Sequence, residues 1–187
     1  MRIAFLMAPE GVEEIELTRP WQAVLDAGWN PRLVSTEPGR VRAFRHFAMG
    51  DSYAVDHVLA GDTADDFDAL LLPGGVANPD ALRMNRLAVG FTRDFFQAGK
   101  PVAAICHAPW MLVEADVVRG RTLTSWPSLA TDIRNAGGTW VDEKVHVCHA
   151  APATLITSRK PADLDAFCSA LIGEFAASGA RAGSLRG

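Results

Sequence analysis

Uninterrupted apolar runs alternate with helix-like segments from one end of this sequence to the other. Predicted strands lie at Ile3–Met7, Arg32–Thr36, Ala69–Leu72, Pro101–Ile105, Val145–Cys148 and Thr154–Thr157. Amphipathic segments with helical spacing lie at Glu14–Ala27, Arg86–Ala98, Ser128–Ala136 and Ala162–Ala177. Strands that lack polar alternation are buried on both faces, which requires a mostly parallel sheet with helices on both sides. The sequence therefore predicts an α/β fold of this kind.

One domain is the simplest organisation for the 187 residues, since no internal repeat or linker breaks the pattern and this length can bury a full core. We expect that domain to span residues 1–177 and residues 178–187, which are small and polar, to form a frayed tail. Residues 40–62 predict a hairpin or a sheet edge, with short runs around Val41 and Tyr53–Val55 separated by Gly50-Asp51.

Charge and cysteine usage exclude several classes of protein. The net charge of −4 offers no attraction to nucleic acid or to an anionic membrane, and no apolar run approaches the roughly 20 residues that span a bilayer. The first apolar run is too short for a signal peptide. Three widely spaced cysteines, an odd number, favour free thiols in a reducing compartment. We expect a cytoplasmic protein that binds neither nucleic acid nor membrane.

Cys106 lies where the predicted strand Pro101–Ile105 turns into a helix-like run that begins at His107. A strand–turn–helix corner lifts a side chain out of the sheet and aims it at a pocket. The first N–H groups of the helix favour the thiolate, which is the reactive form of cysteine. The alternative is that Cys106 is a small buried hydrophobic residue, a common role for a free cysteine.

Gly74-Gly75 follows the predicted strand Ala69–Leu72 and removes two side chains at the strand end. Backbone N–H groups of Gly75 and Val76, with that of His107, would then face the sulfur and form an oxyanion hole. A plain tight turn is the alternative. The segment is not a phosphate-binding loop, because it has neither Gly-x-x-x-x-Gly-Lys nor Gly-x-Gly-x-x-Gly.

Other candidate side chains surround these two corners. Four carboxylates lie early in the chain, at Glu10, Glu13, Glu14 and Glu16. One that turned inward would have a raised pKa and would carry protons, and the sequence does not say which. His107 is a base, an orienting group or a helix cap, and Trp110 either walls a pocket or packs in the core. His146, Cys148 and His149 lack a second ligand pair at zinc spacing, so we predict a plain strand and no metal site.

Taken together, these residues resemble the ThiJ/PfpI superfamily of PfpI-type intracellular proteases and their deglycase and glyoxalase relatives. The matching pieces are Gly11–Leu17, Asp68–Gly75, Lys100–His107, Arg119–Arg121, Asn135–Gly138 and Thr157–Arg159. They run in family order over nearly the whole chain. The resemblance implies a flavodoxin-like three-layer sandwich, akin to class I glutamine amidotransferase domains.

The resemblance also implies roles for particular residues. Cys106 matches the nucleophile and Glu16 matches the buried glutamate that touches the thiol. Gly75, Val76 and His107 match the oxyanion-hole and triad positions. In PfpI-type members a neighbouring subunit supplies the acid of the triad. Asp80 is the nearest match, which implies a homodimer or a higher homo-oligomer.

Three departures from the family pattern carry expectations. Ala108 replaces the glycine that follows Cys-His, and its methyl group would narrow the pocket floor or shift the corner. Asp80 is one methylene shorter than the archetypal glutamate, in a loop one residue longer. Trp126 stands where some relatives have a histidine near the thiol, which makes the cleft more apolar.

The leading hypothesis is a cysteine-dependent stress-response enzyme that acts on small reactive carbonyl compounds, as glyoxalases of the third type and protein deglycases do. Cys106 would add to an aldehyde and Glu16 would move the proton, without a metal or organic cofactor. The alternatives are a PfpI-type cysteine peptidase or other small-molecule hydrolase, which would act on peptides at the same residues, and a non-catalytic redox sensor or chaperone. A glutamine amidotransferase subunit is disfavoured, since His146-Val147-Cys148 lacks the required glutamate.

Overall fold

The computed structural model describes residues 1–61 and 64–184, in which strands and helices alternate. The strands are β1 (Arg2–Met7), β2 (Glu10–Glu13), β3 (Asn30–Ser35), β4 (Arg40–Arg45), β5 (Ala48–Ala54), β6 (His57–Val58), β7 (Ala69–Leu72), β8 (Val102–Ile105), β9 (Thr122–Leu123), β10 (Thr139–Trp140), β11 (Val145–Cys148) and β12 (Leu155–Ser158). The helices are α1 (Glu14–Asp26), α2 (Ala77–Arg83), α3 (Arg86–Gln97), α4 (Pro109–Glu114), α5 (Ala130–Asn135) and α6 (Leu164–Ser184). Single 3₁₀ turns span Ala64–Asp66, Pro127–Leu129 and Pro161–Asp163.

A seven-stranded sheet forms the middle layer, in the order β11-β12-β8-β7-β1-β3-β6. Its strands pair in parallel, except that β11 is antiparallel to β12. Alternate residues of β1 enter two separate cores, with Leu6 facing α2 to α5 and Phe5 facing α1 and α6. This arrangement confirms the predicted three-layer α/β sandwich with a mostly parallel sheet.

The strand order reverses at β1, which has β3 on one side and β7 on the other. In doubly wound sheets the loops at such a reversal diverge and leave a crevice beyond the carboxyl ends of the strands. The segments that leave the carboxyl ends of β1, β7 and β8 carry Glu16, Gly74 and Cys106 respectively. The topology therefore brings three distant parts of the sequence to one edge of the sheet.

A small second sheet, in the order β2-β4-β5, extends from that same edge. Strands β4 and β5 form the hairpin predicted within residues 40–62, but its tip lies at His46-Phe47 and not at Gly50-Asp51. Strand β2 has only four residues, too few for a periodic signal, and it forms because β4 pairs with it in parallel. Residues 62 and 63 lie outside the described residues.

The last helix is longer than its sequence pattern predicts. Helix α6 continues to Ser184, beyond the boundary at Ala177 where we expected a frayed tail. Gly179 lies on α6 against the side chain of Met1, so packing beside the first strand supports a segment whose own composition is a weak helix signal. Residues 185–187 lie outside the described residues. Within the described chain, no helix combines the length and the hydrophobicity needed to cross a bilayer.

Candidate active site

Cys106 occupies a sharp corner between β8 and α4, with a φ of +63°. This left-handed conformation is uncommon for a residue other than glycine and costs about 1–3 kcal/mol. Both of its peptide groups are held by neighbouring segments. Its N–H donates to the Ser158 carbonyl at 3.1 Å, and its carbonyl accepts from the Trp126 N–H at 2.8 Å. The corner presents the sulfur to a cavity while the residue itself is only 7% exposed.

Glu16 is the carboxylate that turns inward, from the first turn of α1. It is fully buried, its Oε2 accepts from the Gly74 N–H at 3.0 Å, and its carboxyl lies beside the Cys106 thiol. Burial and the nearby charge of Glu13 raise the pKa of Glu16 to about 8. The side chain therefore holds a proton at neutral pH, as a group that must donate and accept protons requires.

The other three carboxylates have different environments. Glu14 is tied to the hairpin, accepting from Arg45 and, at 2.8 Å, from the Tyr53 hydroxyl. Glu13 accepts from the His46 N–H at 2.9 Å at the hairpin tip, and Glu10 is exposed. Periodicity does not separate these residues, because their directions depend on where β4 and β5 pack.

Burial and the Glu16 carboxyl raise the pKa of the Cys106 thiol above its ordinary value. The nearby backbone N–H groups of His107 and Gly75 act in the opposite direction and lower this pKa. The net rise differs from the lowered pKa expected from a helix N-terminus. Helix α4 has only six residues and begins at Pro109, so its dipole does not outweigh desolvation. Cys106 and Glu16 thus form a buried pair that keeps protons at neutral pH.

His107 can accept the proton of the thiol. Its Nδ1 lies 3.2 Å from the Cys106 sulfur, and burial lowers the pKa of the ring, which leaves the imidazole neutral. The ring stacks on Trp126 with a centroid distance of 5.8 Å, and Trp110 contacts it at 5.3 Å. The two indoles fix the imidazole orientation, and no described carboxylate of this chain hydrogen-bonds it.

The two glycines after β7 leave room that a side chain would fill. A Cβ on Gly74 would meet the Glu16 carboxyl and lie 2.7 Å from the Cys106 Cβ. Gly75 has a φ of +83°, and a Cβ there would strike the Gly11 carbonyl and lie 2.8 Å from the backbone nitrogen of Glu13. The pair therefore does more than make a turn, since it allows the loop after β1 and the thiol to approach each other.

Replacing Gly75 with alanine is expected to lower the free energy of unfolding by about 2 kcal/mol or more, because the new methyl group meets backbone atoms that cannot move aside. Urea unfolding measures the change. Gly90→Ala is the matched control, since Gly90 lies on α3 with open space around it and alanine favours a helix. Equal stability of Gly75→Ala and wild type would contradict the close approach.

A cavity of about 640 Å³ opens above the thiol. It is lined by Gly11, Glu13, Glu16, Phe44, His46, Phe47, Gly75, Val76, Ala77, Asp80, Cys106, His107, Trp126 and Pro161. Most of these are apolar or lack a charge, and no lysine or arginine is among the described lining residues. The volume of this cavity and its mostly uncharged lining match a site for a small organic molecule.

Some of the site residues predicted from the sequence line this cavity, and one does not. Gly75, Val76 and Asp80 line it together with the thiol, and the side chain of Asp80 is exposed. Trp110 does not line it, because its ring packs against the core and its Nε1 donates to Asp132 at 2.9 Å. Trp126 lines it instead, which makes the cleft more apolar.

Ala108 is not among the lining residues of the cavity, so of the two effects expected from its replacement of a glycine, its methyl group does not produce the narrower floor. Its φ of −54° suits any residue, and its methyl group packs in the core on the α2 to α5 side of the sheet.

Five lining residues were not predicted from the sequence: Phe44, His46, Phe47, Ala77 and Pro161. Phe44, His46 and Phe47 belong to the hairpin. They reach the cavity because β4 pairs with β2 and because Glu13 and Glu14 accept hydrogen bonds from the hairpin backbone. The Nδ1 of His146 lies 2.8 Å from the Oε2 of Glu143, and within the described residues no three metal-ligating side chains cluster.

Comparisons with known proteins agree with the family resemblance of the sequence. Residues 1–174 match the DJ-1/PfpI family. The chain is 41% identical over 167 residues to the protein named Deglycase PH1704 of Pyrococcus horikoshii, covering 89% of this chain and 95% of that protein. It is also 41% identical over 167 residues to Protein/nucleic acid deglycase 2 of Escherichia coli, covering 89% and 92%. The crystal structure of Drosophila melanogaster DJ-1beta superposes with a TM-score of 0.81 at 28% identity, over 93% of this chain and 89% of that one.

Proposed function

The chain belongs to the DJ-1/PfpI family, and we propose that it is a cysteine-dependent stress-response enzyme that converts reactive carbonyl compounds such as methylglyoxal. The observation that carries the proposal is the buried pair of Cys106 and Glu16 beneath an apolar cavity. A proton-holding carboxyl beside a thiol suits a reaction that moves a proton between adjacent carbons. Deglycation of amines would use the same pair, as the names of two relatives suggest.

The first proposed step is addition of sulfur to the aldehyde carbon. His107 Nδ1 accepts the thiol proton, the sulfur–carbon bond forms, and the carbonyl π electrons move to oxygen. The N–H groups of Gly75 and His107 lie beside the sulfur, where they would stabilise the charge on that oxygen. Return of the proton to the oxygen completes a neutral hemithioacetal.

The second proposed step is a proton transfer by Glu16, after it has released its own proton. Its own proton goes to the ketone oxygen, and the carboxylate then takes a proton from the carbon bound to sulfur, which gives an enediol. Glu16 delivers this proton to the neighbouring carbon, and the hydroxyl proton of the former aldehyde carbon returns to Glu16 as the thioester carbonyl forms. The aldehyde carbon is thereby oxidised and the ketone carbon is reduced. The product is a thioester of lactate, and water cleaves it to lactate and free Cys106. A pKa of about 8 places Glu16 close to the value at which one group serves as base and then as acid near neutral pH.

The experiment that tests this function is quantification of both methylglyoxal and lactate with the wild-type protein in buffer that contains a metal chelator. One lactate per methylglyoxal consumed supports the proposal. Consumption without lactate, or release of peptides from a denatured protein substrate without any carbonyl turnover, contradicts it. The peptidase alternative has weaker support, because no described carboxylate of the chain hydrogen-bonds His107.

Self-association is part of the proposal. Asp80 is exposed at the cavity, so a neighbouring copy of the chain can approach it. The Asp80 carboxylate of each copy would then complete the site of the other. Light scattering in solution measures the mass, and a monomer that retains full activity would contradict a shared site.

The charge of the cavity predicts a preference among aldehydes. Glu13 and Asp80 carry negative charge at the lining, and no described lining lysine or arginine offsets it. We expect Glu13→Gln to raise kcat/KM for the anion glyoxylate relative to neutral methylglyoxal by about three- to tenfold, since one repulsive charge near the thiol is removed. Glu10→Gln is the control, because Glu10 is exposed and does not line the cavity. If the ratio of kcat/KM for glyoxylate to that for methylglyoxal were unchanged in Glu13→Gln, the Glu13 charge would not affect the choice of substrate.

A further inference from the structure

A second cavity, of about 410 Å³, lies at the opposite end of β8 from Cys106. It is formed by the end of α3, the turn after α4 and the loop before β12. Three of its lining residues are arginines, Arg93, Arg119 and Arg121, and its one acidic residue is Asp116. The carbonyl chemistry proposed above uses none of these residues.

Within the part of the chain that the structure describes, Arg121 is a buried cation that forms no ion pair with a carboxylate. It is 4% exposed, and its guanidinium donates to the carbonyls of Ala153 at 2.8 Å and Ala151 at 3.3 Å. Its charged end lies 5.0 Å from the centre of the Phe96 ring. Carbonyl dipoles and an aromatic face offer only partial negative charge, whereas burial of a full charge is costly unless an opposite charge is near.

Arg93 and Arg119 add two more guanidinium groups to the same cavity. Arg93 donates from Nε to the Ala115 carbonyl at 2.9 Å, which directs the group without neutralising it. Within the described residues neither forms an ion pair, in contrast to Arg45 and Arg159, which each bind carboxylates. Three positive groups against one negative group leave the cavity with an excess of positive charge in a chain of net charge −4.

We propose that this cavity binds a small organic phosphate. Guanidinium groups match phosphate oxygens in geometry and charge, and a dianion would supply the counter-charge that Arg121 lacks. A volume of about 410 Å³ is larger than an inorganic ion needs and falls in the range of small-molecule sites. Phe96 and Pro152 give one wall an apolar surface for the organic part.

The test is calorimetric titration with glycerol 3-phosphate at constant ionic strength, with glycerol as the uncharged probe and inorganic phosphate as the free-ion probe. The variants are Arg93→Gln/Arg119→Gln, which leaves buried Arg121 in place, and Arg86→Gln, which removes an exposed arginine of α3 that does not line the cavity. Circular dichroism and unfolding midpoints confirm that both variants are folded.

We expect saturable binding of glycerol 3-phosphate to wild type and to Arg86→Gln, weaker binding of inorganic phosphate, and none of glycerol. The double variant should bind at least about tenfold more weakly, since two charge-assisted contacts are lost. Absence of saturable binding to wild type overturns the proposal, and so does equal affinity in the double variant. If inorganic phosphate binds as tightly as glycerol 3-phosphate, the proposed contact between the cavity and the organic part of the ligand is overturned. The result does not depend on carbonyl turnover, so the two proposals can fail separately.

Discussion

Replacing Cys106 with serine is expected to lower kcat/KM for methylglyoxal by about a thousandfold or more. Serine keeps the size and position of the side chain, but its hydroxyl is a much weaker nucleophile than a thiol whose proton a neutral imidazole can accept. His107 Nδ1, 3.2 Å from the sulfur, has little effect on a hydroxyl of far higher pKa. Lactate formation at substrate concentrations below KM measures the change.

The other two cysteines provide matched controls for this prediction. Cys148 and Cys168 are 8% and 7% exposed and lie outside the cavity. Burial raises the pKa of Cys168 to about 11, so it holds its proton at neutral pH. We expect Cys148→Ala and Cys168→Ala to retain turnover. Lactate formation by Cys106→Ser at a substantial fraction of the wild-type rate would rule out the proposed nucleophile.

Glu16→Gln is expected to lower kcat by about 10²- to 10⁴-fold while leaving the first addition step in place. The amide preserves the acceptor for the Gly74 N–H, which bonds Glu16 Oε2 at 3.0 Å, but it cannot take a proton from carbon. Methylglyoxal should therefore still protect Cys106 from iodoacetamide, and no lactate should form. Mass spectrometry of the alkylated cysteine reads the first effect, and lactate assay reads the second. If Glu16→Gln formed lactate at the wild-type rate, a residue other than Glu16 would have to transfer the proton.

The same variant tests the environment of Glu16 through stability. Between the ordinary carboxyl pKa of 4.5 and the raised pKa of about 8, native Glu16 holds a proton that the unfolded chain has released. Wild-type stability should therefore fall as pH rises through this window, by at most about 1.4 kcal/mol per pH unit from this group. Urea unfolding at pH 5.5 and 7.5 should show wild type losing about 2 kcal/mol relative to Glu16→Gln. A constant difference between the two proteins would mean that the Glu16 pKa is not raised.

Much of the fold could be predicted from local pattern. The strand Ala69–Leu72 has the predicted boundaries, and Ile3–Met7 and Pro101–Ile105 each differ by one residue from the observed strands. Continuous apolar runs are strong signals because a central strand buries both of its faces. The family resemblance drawn from Gly74-Gly75 and Cys106-His107 is confirmed by the match of residues 1–174.

Features that depend on distant partners could not be predicted in the same way. The hairpin tip is at His46-Phe47, because β5 extends through Gly50-Asp51 by pairing with β4. Trp110 and Trp126 both contact His107, but only the position of the 3₁₀ turn after β9 places Trp126 in the cavity and leaves Trp110 against the core. No periodicity within either segment distinguishes the two indoles.

By itself, the sequence determined the layered α/β architecture and the corner that holds Cys106, since both follow from short-range patterns of burial and turn residues. Local sequence patterns left the inward carboxylate open, and only the family resemblance implied Glu16. The tertiary structure places Glu16, and not Glu13 or Glu14, beside the sulfur, where burial raises the pKa of both members of the pair. Proton affinity in a protein depends on desolvation and on charges brought from far along the chain. The distances between these groups are set only when the carboxyl ends of β1, β7 and β8 come together at one edge of the sheet.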